Sequence, residues 1–166
     1  KAGRSIVRAR SVSGCIVSER GSGVSSSAVS SFAVSSSGFG VSAPTVQYYL
    51  DILEATYMVR RLPPLHANLS KRLVKSPKIY LRDSGLLHAL LGLRSLEDLA
   101  GHPVVGASWE GWVLEQIAQL LPSPWQLSFY RTAAGAEIDV VVERGNKKIG
   151  FEIKFSSAPT LSKGFW

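Results

Sequence analysis

Residues 137–154 constrain the fold of this chain more than any other stretch. They read Glu-Ile-Asp-Val-Val-Val-Glu-Arg-Gly-Asn-Lys-Lys-Ile-Gly-Phe-Glu-Ile-Lys. Two runs rich in β-branched and apolar residues flank Gly145-Asn146, a pair that accepts the positive φ of a tight hairpin turn. With those two residues in the loop, Arg144 faces Lys147, Asp139 faces Glu152 and Glu137 faces Lys154. Side chains alternate along a strand, so Ile138, Val140, Val142, Ile149, Phe151 and Ile153 are expected to line one apolar face. Glu137, Asp139, Glu152 and Lys154 are expected to gather on the other face, at one end of the hairpin.

Two carboxylates whose Cβ atoms stand about 5 Å apart repel unless a cation lies between them. A hard divalent ion such as Mg2+ is one solution, since it takes carboxylate oxygens and keeps several waters. Bound there, it would generate a hydroxide nucleophile and stabilise charge on a phosphate in transit. Lys154, diagonal from Asp139, is placed to hold that phosphate or the attacking water. The plainer alternative makes Glu137–Lys154 a cross-strand ion pair and leaves Asp139 and Glu152 solvated. Spacing alone does not choose between the two.

The letters Asp139 and Glu152-Ile153-Lys154 resemble the PD-(D/E)XK nuclease core. The surrounding text extends the likeness. Tyr130-Arg131-Thr132, then Gly135-Ala136-Glu137-Ile138-Asp139, with Trp109-Glu110-Gly111 upstream, resembles the C-terminal domain of prokaryotic predicted AAA-type ATPases, as does Lys78 to Leu87. The resemblance covers roughly residues 40–166 and implies a PD-(D/E)XK-like fold. It also implies Mg2+ held by Asp139 and Glu152, with a glutamate from the first helix assisting. Glu110 matches that position and Glu115 is the fallback; a surface role is the alternative for both. Such proteins carry a nucleotide-binding domain upstream, so the ATPase domain of a parent protein is an expected partner. Nothing here matches Gly-x-x-x-x-Gly-Lys-Ser/Thr, and Gly21-Ser22-Gly23 lacks the lysine that reaches the phosphates, so no ATP site is expected in this chain.

A chain of 166 residues holds one ordinary domain or two small ones, and 45% apolar content permits a core. The net charge of +7 favours an acidic partner, nucleic acid first and DNA ahead of RNA. The single cysteine, Cys15, excludes an intramolecular disulfide and a cysteine-based zinc site, and the chain is expected to be cytoplasmic. His66, His88 and His102 show no ligand spacing. No apolar run approaches the ~18 residues of a membrane span, so no membrane partner is expected.

Residues 1–37 hold 13 serines and no leucine, and no hydrophobic period persists across 24–37. That composition predicts disorder, or text that is out of frame with the rest. Ser42 with Pro44 then announces a helix on which Val46, Tyr49, Leu50, Leu53 and Tyr57 follow helical spacing. A Gly-Val-Ser turn before such a helix resembles a helix-turn-helix, with Thr45, Gln47 and Tyr48 facing DNA; the alternative is a linker helix that binds protein. Arg60, Arg61, Lys71, Arg72, Lys75, Lys78 and Arg82 follow without an intervening acid. Residues 58–59 and 78–81 read as strands around a loop, a wing-like arrangement whose cations suit a phosphate backbone, or a solvated loop. Asp83 or Ser84 is expected to cap a short helix, residues 95–101 to form another, and 103–121 a long amphipathic one bounded by Pro103 and Pro122. On that helix Trp109, Trp112, Val113, Ile117 and Leu120 are expected to pack on the sheet.

The expected architecture is α/β. Residues 1–37 are low-complexity, 38–94 a winged-helix-like segment, and 95–166 a PD-(D/E)XK-like core that stops short of its last strand and helix, leaving an open sheet edge. The expected function is a nucleic-acid-associated module of an ATPase with a metal-dependent phosphodiesterase site at Glu110, Asp139, Glu152 and Lys154. The rivals are a non-catalytic binding or regulatory module and an inert gene fragment.

Overall fold

The computed structural model describes residues 5–11, 40–65, 76–133 and 135–155. It is a mixed α/β structure. In chain order the elements are β1 (Ser5–Ser11), α1 (Ala43–Ala55), β2 (Val59–Leu62), β3 (Lys78–Leu81), α2 (Ser84–Leu90), α3 (Leu96–Gly101), α4 (Val105–Leu120), β4 (Gln126–Arg131), β5 (Glu137–Arg144) and β6 (Lys147–Phe155). Four strands form an antiparallel sheet in the order β1-β6-β5-β4, and β2 pairs with β3 in a second, two-stranded sheet. No helix among the described residues is long and apolar enough to cross a membrane.

The helix starts follow local chemistry. The Ser42 hydroxyl accepts from Thr45 N at 3.3 Å, Asp83 Oδ1 accepts from Leu86 N at 3.0 Å, and Ser95 with Asp98 forms a reciprocal capping box ahead of α3. The β5–β6 hairpin turns at Gly145-Asn146, with Arg144 opposite Lys147 as the spacing predicts. Of the two turn residues only Gly145 has a positive φ, +56°, the pattern of a type II′ turn.

Three expectations are corrected. The first is the apolar face. The pairing of β4 with β5 runs from Ser128–Val141 to Tyr130–Ile138, two residues on one strand against three on the other. The extra residue on β5 is a β-bulge at residues 139–140, which changes the side-chain alternation. Val140 and Val142 therefore pack with α4 in a core of Leu62, Tyr80, Val113, Leu114, Phe129 and Ile153, while Ile138 joins Val141, Tyr130 and Leu65 in a second cluster. The sheet is apolar on both faces.

The second concerns residues 1–37. Ser5–Ser11 lies within the stretch whose composition suggests disorder, yet it forms β1 and pairs along β6 from Ser5–Phe155 to Ser11–Ile149. The outer edge of β6 is thereby covered, and the edge expected to stay open there is paired. The third is the face of α4. Val113 is buried and Trp109 and Ile117 pack on the core, but Trp112 is 45% and Leu120 83% exposed, whereas Leu114, Glu110 and Glu115 are buried. A hydrophobic period cannot locate a buried face that carries two glutamates.

The boundary expected at residues 94–95 does not divide the core. Leu62 from β2 and Tyr80 from β3 pack with α4 and the large sheet. Leu65 N donates to Phe129 O at 2.7 Å and Phe129 N to Pro63 O at 3.0 Å, tying the segment after β2 to the β4 edge.

Candidate functional site

The ladder between β5 and β6 ends at Val140–Phe151. One residue further on, where Asp139 and Glu152 would face each other, the bulge parts the strands. The Ile153 N–H, left without a β5 carbonyl, is taken by Asp139 Oδ2 at 2.8 Å. The same irregularity that interrupts the sheet thus turns a carboxylate into a buried acceptor.

Around Asp139 lies a compact charged cluster drawn from five elements. Lys78 Nζ, from β3, is 3.0 Å from Glu110 Oε1 on α4, 2.8 Å from Glu137 Oε1 and 4.0 Å from Asp139 Oδ1 on β5. The Tyr80 hydroxyl donates to Glu110. Arg131 Nε stands 3.5 Å from Glu137, and Lys154 Nζ 3.0 Å from Glu152 Oε1, both on β6. Glu152 is 2% exposed, and neither carboxylate oxygen has a hydrogen-bond partner among the described residues. Lys154 meets it at ion-pair distance.

The electrostatics follow from burial and an excess of acids. Burial, then the charges of Glu110 and Glu152, push the Asp139 carboxyl up to about 7, against the opposing pull of Lys78 and the Ile153 N–H. Burial alone would lower the Lys78 ammonium, but Glu110, Glu137 and Asp139 outweigh it and hold it above its ordinary value. Lys154 is likewise raised, burial being overcome chiefly by Glu152. The Tyr80 hydroxyl is pushed well up by burial and by Glu110, so it stays a donor.

Of the residues read from sequence as a metal site, Asp139, Glu152 and Lys154 come together as a neighbouring group, and Glu110 reaches it with its carboxylate engaged by Lys78 and Tyr80. Among the described residues no group of three His, Cys, Asp or Glu side chains is arranged to hold a metal ion. Asp139 and Glu152 remain as neighbouring buried carboxylates, Glu152 facing the Lys154 ammonium at 3.0 Å and Asp139 that of Lys78 at 4.0 Å. Glu115, the fallback, is committed elsewhere: its Oε2 accepts from Arg60 Nη2 at 3.0 Å and from Arg82 Nε at 3.0 Å. Burial would raise its carboxyl, but Arg60 first and Arg82 next hold it low.

The cations read as phosphate contacts are largely spoken for. Lys78 is 2% exposed and surrounded by carboxylates, so it cannot reach a nucleic-acid backbone; the sequence shows its charge but not its burial. Arg60 is paired with Glu115, and Arg61 with Asp51 and Glu54. Lys71, Arg72 and Lys75 lie outside the described residues. On α1, Thr45 Oγ1 is 2.8 Å from the Ser42 hydroxyl, and Gln47 donates to Asp51 at 3.0 Å, while Tyr48 is 62% exposed. Sequence reasoning missed Tyr80 as a site residue and assigned Lys78 to a phosphate backbone; their local signals were the alternation of a lysine and a tyrosine on a short strand and the family resemblance of residues 78–87.

Residues 7–97 match the family described as Domain of unknown function (DUF8612), and residues 105–165 match Domain of unknown function (DUF4143). The first match begins inside the Ser-rich stretch, and the gap between the two falls ahead of α4. Uncharacterized proteins of Mycobacterium bovis and Mycobacterium tuberculosis are each 49% identical over 123 residues, which is 74% of this chain and 28% of theirs. The chain therefore spans little more than a quarter of the length of the curated relatives it matches. No solved structure matches it.

Proposed function

The chain belongs to the family described as Domain of unknown function (DUF8612), and from its charged cluster we propose that it is a nucleic-acid-associated module of a larger ATPase-type protein, bearing a metal-dependent phosphodiesterase site. The observation that carries this reading is Glu152: a carboxylate 2% exposed, both oxygens without hydrogen bonds among the described residues, beside an Asp139 already driven towards neutrality. Two such groups are costly to bury together, and the ammoniums of Lys154, 3.0 Å from Glu152, and Lys78, 4.0 Å from Asp139, offset that cost only in part. In this reading Asp139 and Glu152 hold Mg2+, which when bound supplies a nucleophilic water at neutral pH. Asp139 is oriented by the Ile153 N–H, and Glu110 is held in place by Lys78 and Tyr80. Lys154, its side chain 41% exposed, holds a phosphate oxygen at the mouth of the site. The ATPase setting rests on the resemblance of residues 78–87 and 109–139 and on relatives several times longer than the matched segment.

The test is calorimetric titration of Mg2+ and Mn2+ at pH 8, with Asp139→Asn in parallel. Saturable binding that disappears in the variant, together with metal-dependent cleavage of DNA, is expected. A folded wild-type chain that binds neither ion sinks the reading.

A second reading is favoured by Lys78, whose ammonium sits where Glu110, Glu137 and Asp139 converge. It makes the cluster self-neutralised and the chain a non-catalytic binding or regulatory module. Salt-dependent DNA binding that survives both Asp139→Ala and Lys154→Ala, with no metal uptake, distinguishes it.

A further inference from the structure

We propose that the exposed side of α1 is the surface through which this chain docks on the remainder of a longer polypeptide, against an apolar and uncharged protein face. This rests on the reading of the chain as a module of a larger protein, and on neither the metal nor the nucleic acid. Tyr48 and Ile52, and Tyr49 and Leu53, form two adjoining rows of residues four apart on α1, and Tyr57 and Met58 continue them past the helix end. All of them are exposed, from 39% to 75%. The Tyr48 and Tyr49 rings meet edge-on at 5.7 Å. The polar side is the one tied to the chain: Gln47 donates to Asp51, and Asp51 and Glu54 pair with Arg61 on β2. A surface helix of a globular protein turns these two sides the other way. No residue of α1 is buried, and a helix of 13 residues is marginal in water without a packed face.

The end of α1 points the same way. Tyr57 takes φ +61°, where a Cβ is unfavourable and glycine is usual. Its N–H donates to Glu54 O at 3.0 Å and that of Met58 to Leu53 O at 2.9 Å, a Schellman end with an aromatic residue in glycine's place. The ring is 75% exposed and touches the Arg82 guanidinium at 5.3 Å, which leaves most of its surface for a partner. Charge selects that partner. Among the described residues, the arginines bordering the stripe are already neutralised, Arg61 by Asp51 and Glu54, Arg60 and Arg82 by Glu115. A phosphate backbone finds little to hold there, and an apolar protein face is the complement. A second copy would bring another net charge of +7 to the contact. The curated relatives, by contrast, hold most of their length outside the match, which spans 28% of it. A face tethered on the same polypeptide is present at roughly millimolar effective concentration.

The experiment is amide exchange at residues 46–57, in this chain alone and in the Mycobacterium tuberculosis relative with this chain substituted for its matched segment. Exchange is expected to slow about tenfold or more in the longer protein. Ile52→Asp is expected to abolish that slowing while leaving the melting temperature of the isolated chain unchanged, because Ile52 is exposed there. Equal exchange in the two proteins overturns the proposal. So does protection in the isolated chain that rises with its concentration alongside a dimer in sedimentation, which assigns the face to a second copy, or protection brought by a DNA duplex, which assigns it to nucleic acid. Should the substituted protein fail to fold, the rest of the Mycobacterium tuberculosis protein is added to this chain as a separate polypeptide. Slowing at 46–57 that Ile52→Asp removes then supports the proposal, and no slowing overturns it. None of these outcomes bears on metal titration at Asp139, so the reading of the charged cluster fails or survives separately.

Discussion

Asp139 carries a burden that its neighbours only partly relieve. The residue is 7% exposed; its carboxyl lies near Glu110 and Glu152 and is countered by Lys78 and one backbone N–H. With the folded value raised from 3.8 to about 7, the folded state binds the proton more tightly than the unfolded one. The stability this confers is complete below about pH 4 and is lost as the pH rises to 7, a swing of up to about 4 kcal/mol from this one group. Asp139→Asn keeps an acceptor for Ile153 N and removes the charge. In EDTA it is therefore expected to raise the melting temperature relative to wild type at pH 8 and to leave it nearly unchanged at pH 4. Thermal unfolding of both proteins at the two pH values checks this; an equal shift at both would mean that Asp139 is not the group titrating. Asp139 and Glu152 were legible as a pair from the spacing around Gly145-Asn146. Their burial was not, because it comes from α4 and β3, separate elements well upstream in the chain.

Among the elements, α4 shows most directly how packing overrides pattern. Its buried side carries Glu110 and Glu115 because β3 brings Lys78 and Tyr80 to the first, and β2 and the turn after β3 bring Arg60 and Arg82 to the second. Two glycines on this helix separate propensity from packing. A Cβ at Gly106 would meet nothing within 4 Å, whereas one at Gly111 would lie 3.3 Å from Tyr80 Cδ1. Tyr80 is anchored by its hydroxyl on Glu110 and has little room to give. Gly106→Ala is thus expected to stabilise by about 0.5–1 kcal/mol, and Gly111→Ala to destabilise by about 1–2 kcal/mol. Urea midpoints of the two variants measure both signs, and a stabilising Gly111→Ala would show that β3 seats more loosely than its contacts indicate. The capped helix starts at Ser42 and Asp83 were legible because each depends on residues three apart. The bulge in β5 was not, since it exists only in the pairing with β4.

At the scale of the molecule, one sheet is completed by strands from opposite ends of the chain. β1 runs antiparallel to β6 over seven paired residues, and β6 lies between it and β5. Removing residues 1–11 exposes the β6 backbone along the strand that carries Glu152 and Lys154. The expected result is faster amide exchange through 149–155 and concentration-dependent self-association by size-exclusion chromatography, as an unpaired edge seeks a partner. A monomer with unchanged exchange would show that the β1–β6 pairing contributes nothing to the fold. The matches to 7–97 and to 105–165 meet near the start of α4, yet the core runs across that junction through Leu62 and Tyr80. Two sequence families here share one hydrophobic core and one charged cluster.

By itself, the sequence determined what rests on near neighbours: the hairpin and its turn, the helix caps, and the closeness of Asp139, Glu152 and Lys154. These follow from backbone geometry over about two to fifteen residues. Tertiary structure alone decided which charges are buried and which cation each acid receives. Lys78 reads as one more member of a basic run, and only the packing of β3 against α4 and β5 makes it the counter-ion of the site. Burial and pairing depend on contacts tens of residues apart, and these carry no periodic signature along the chain.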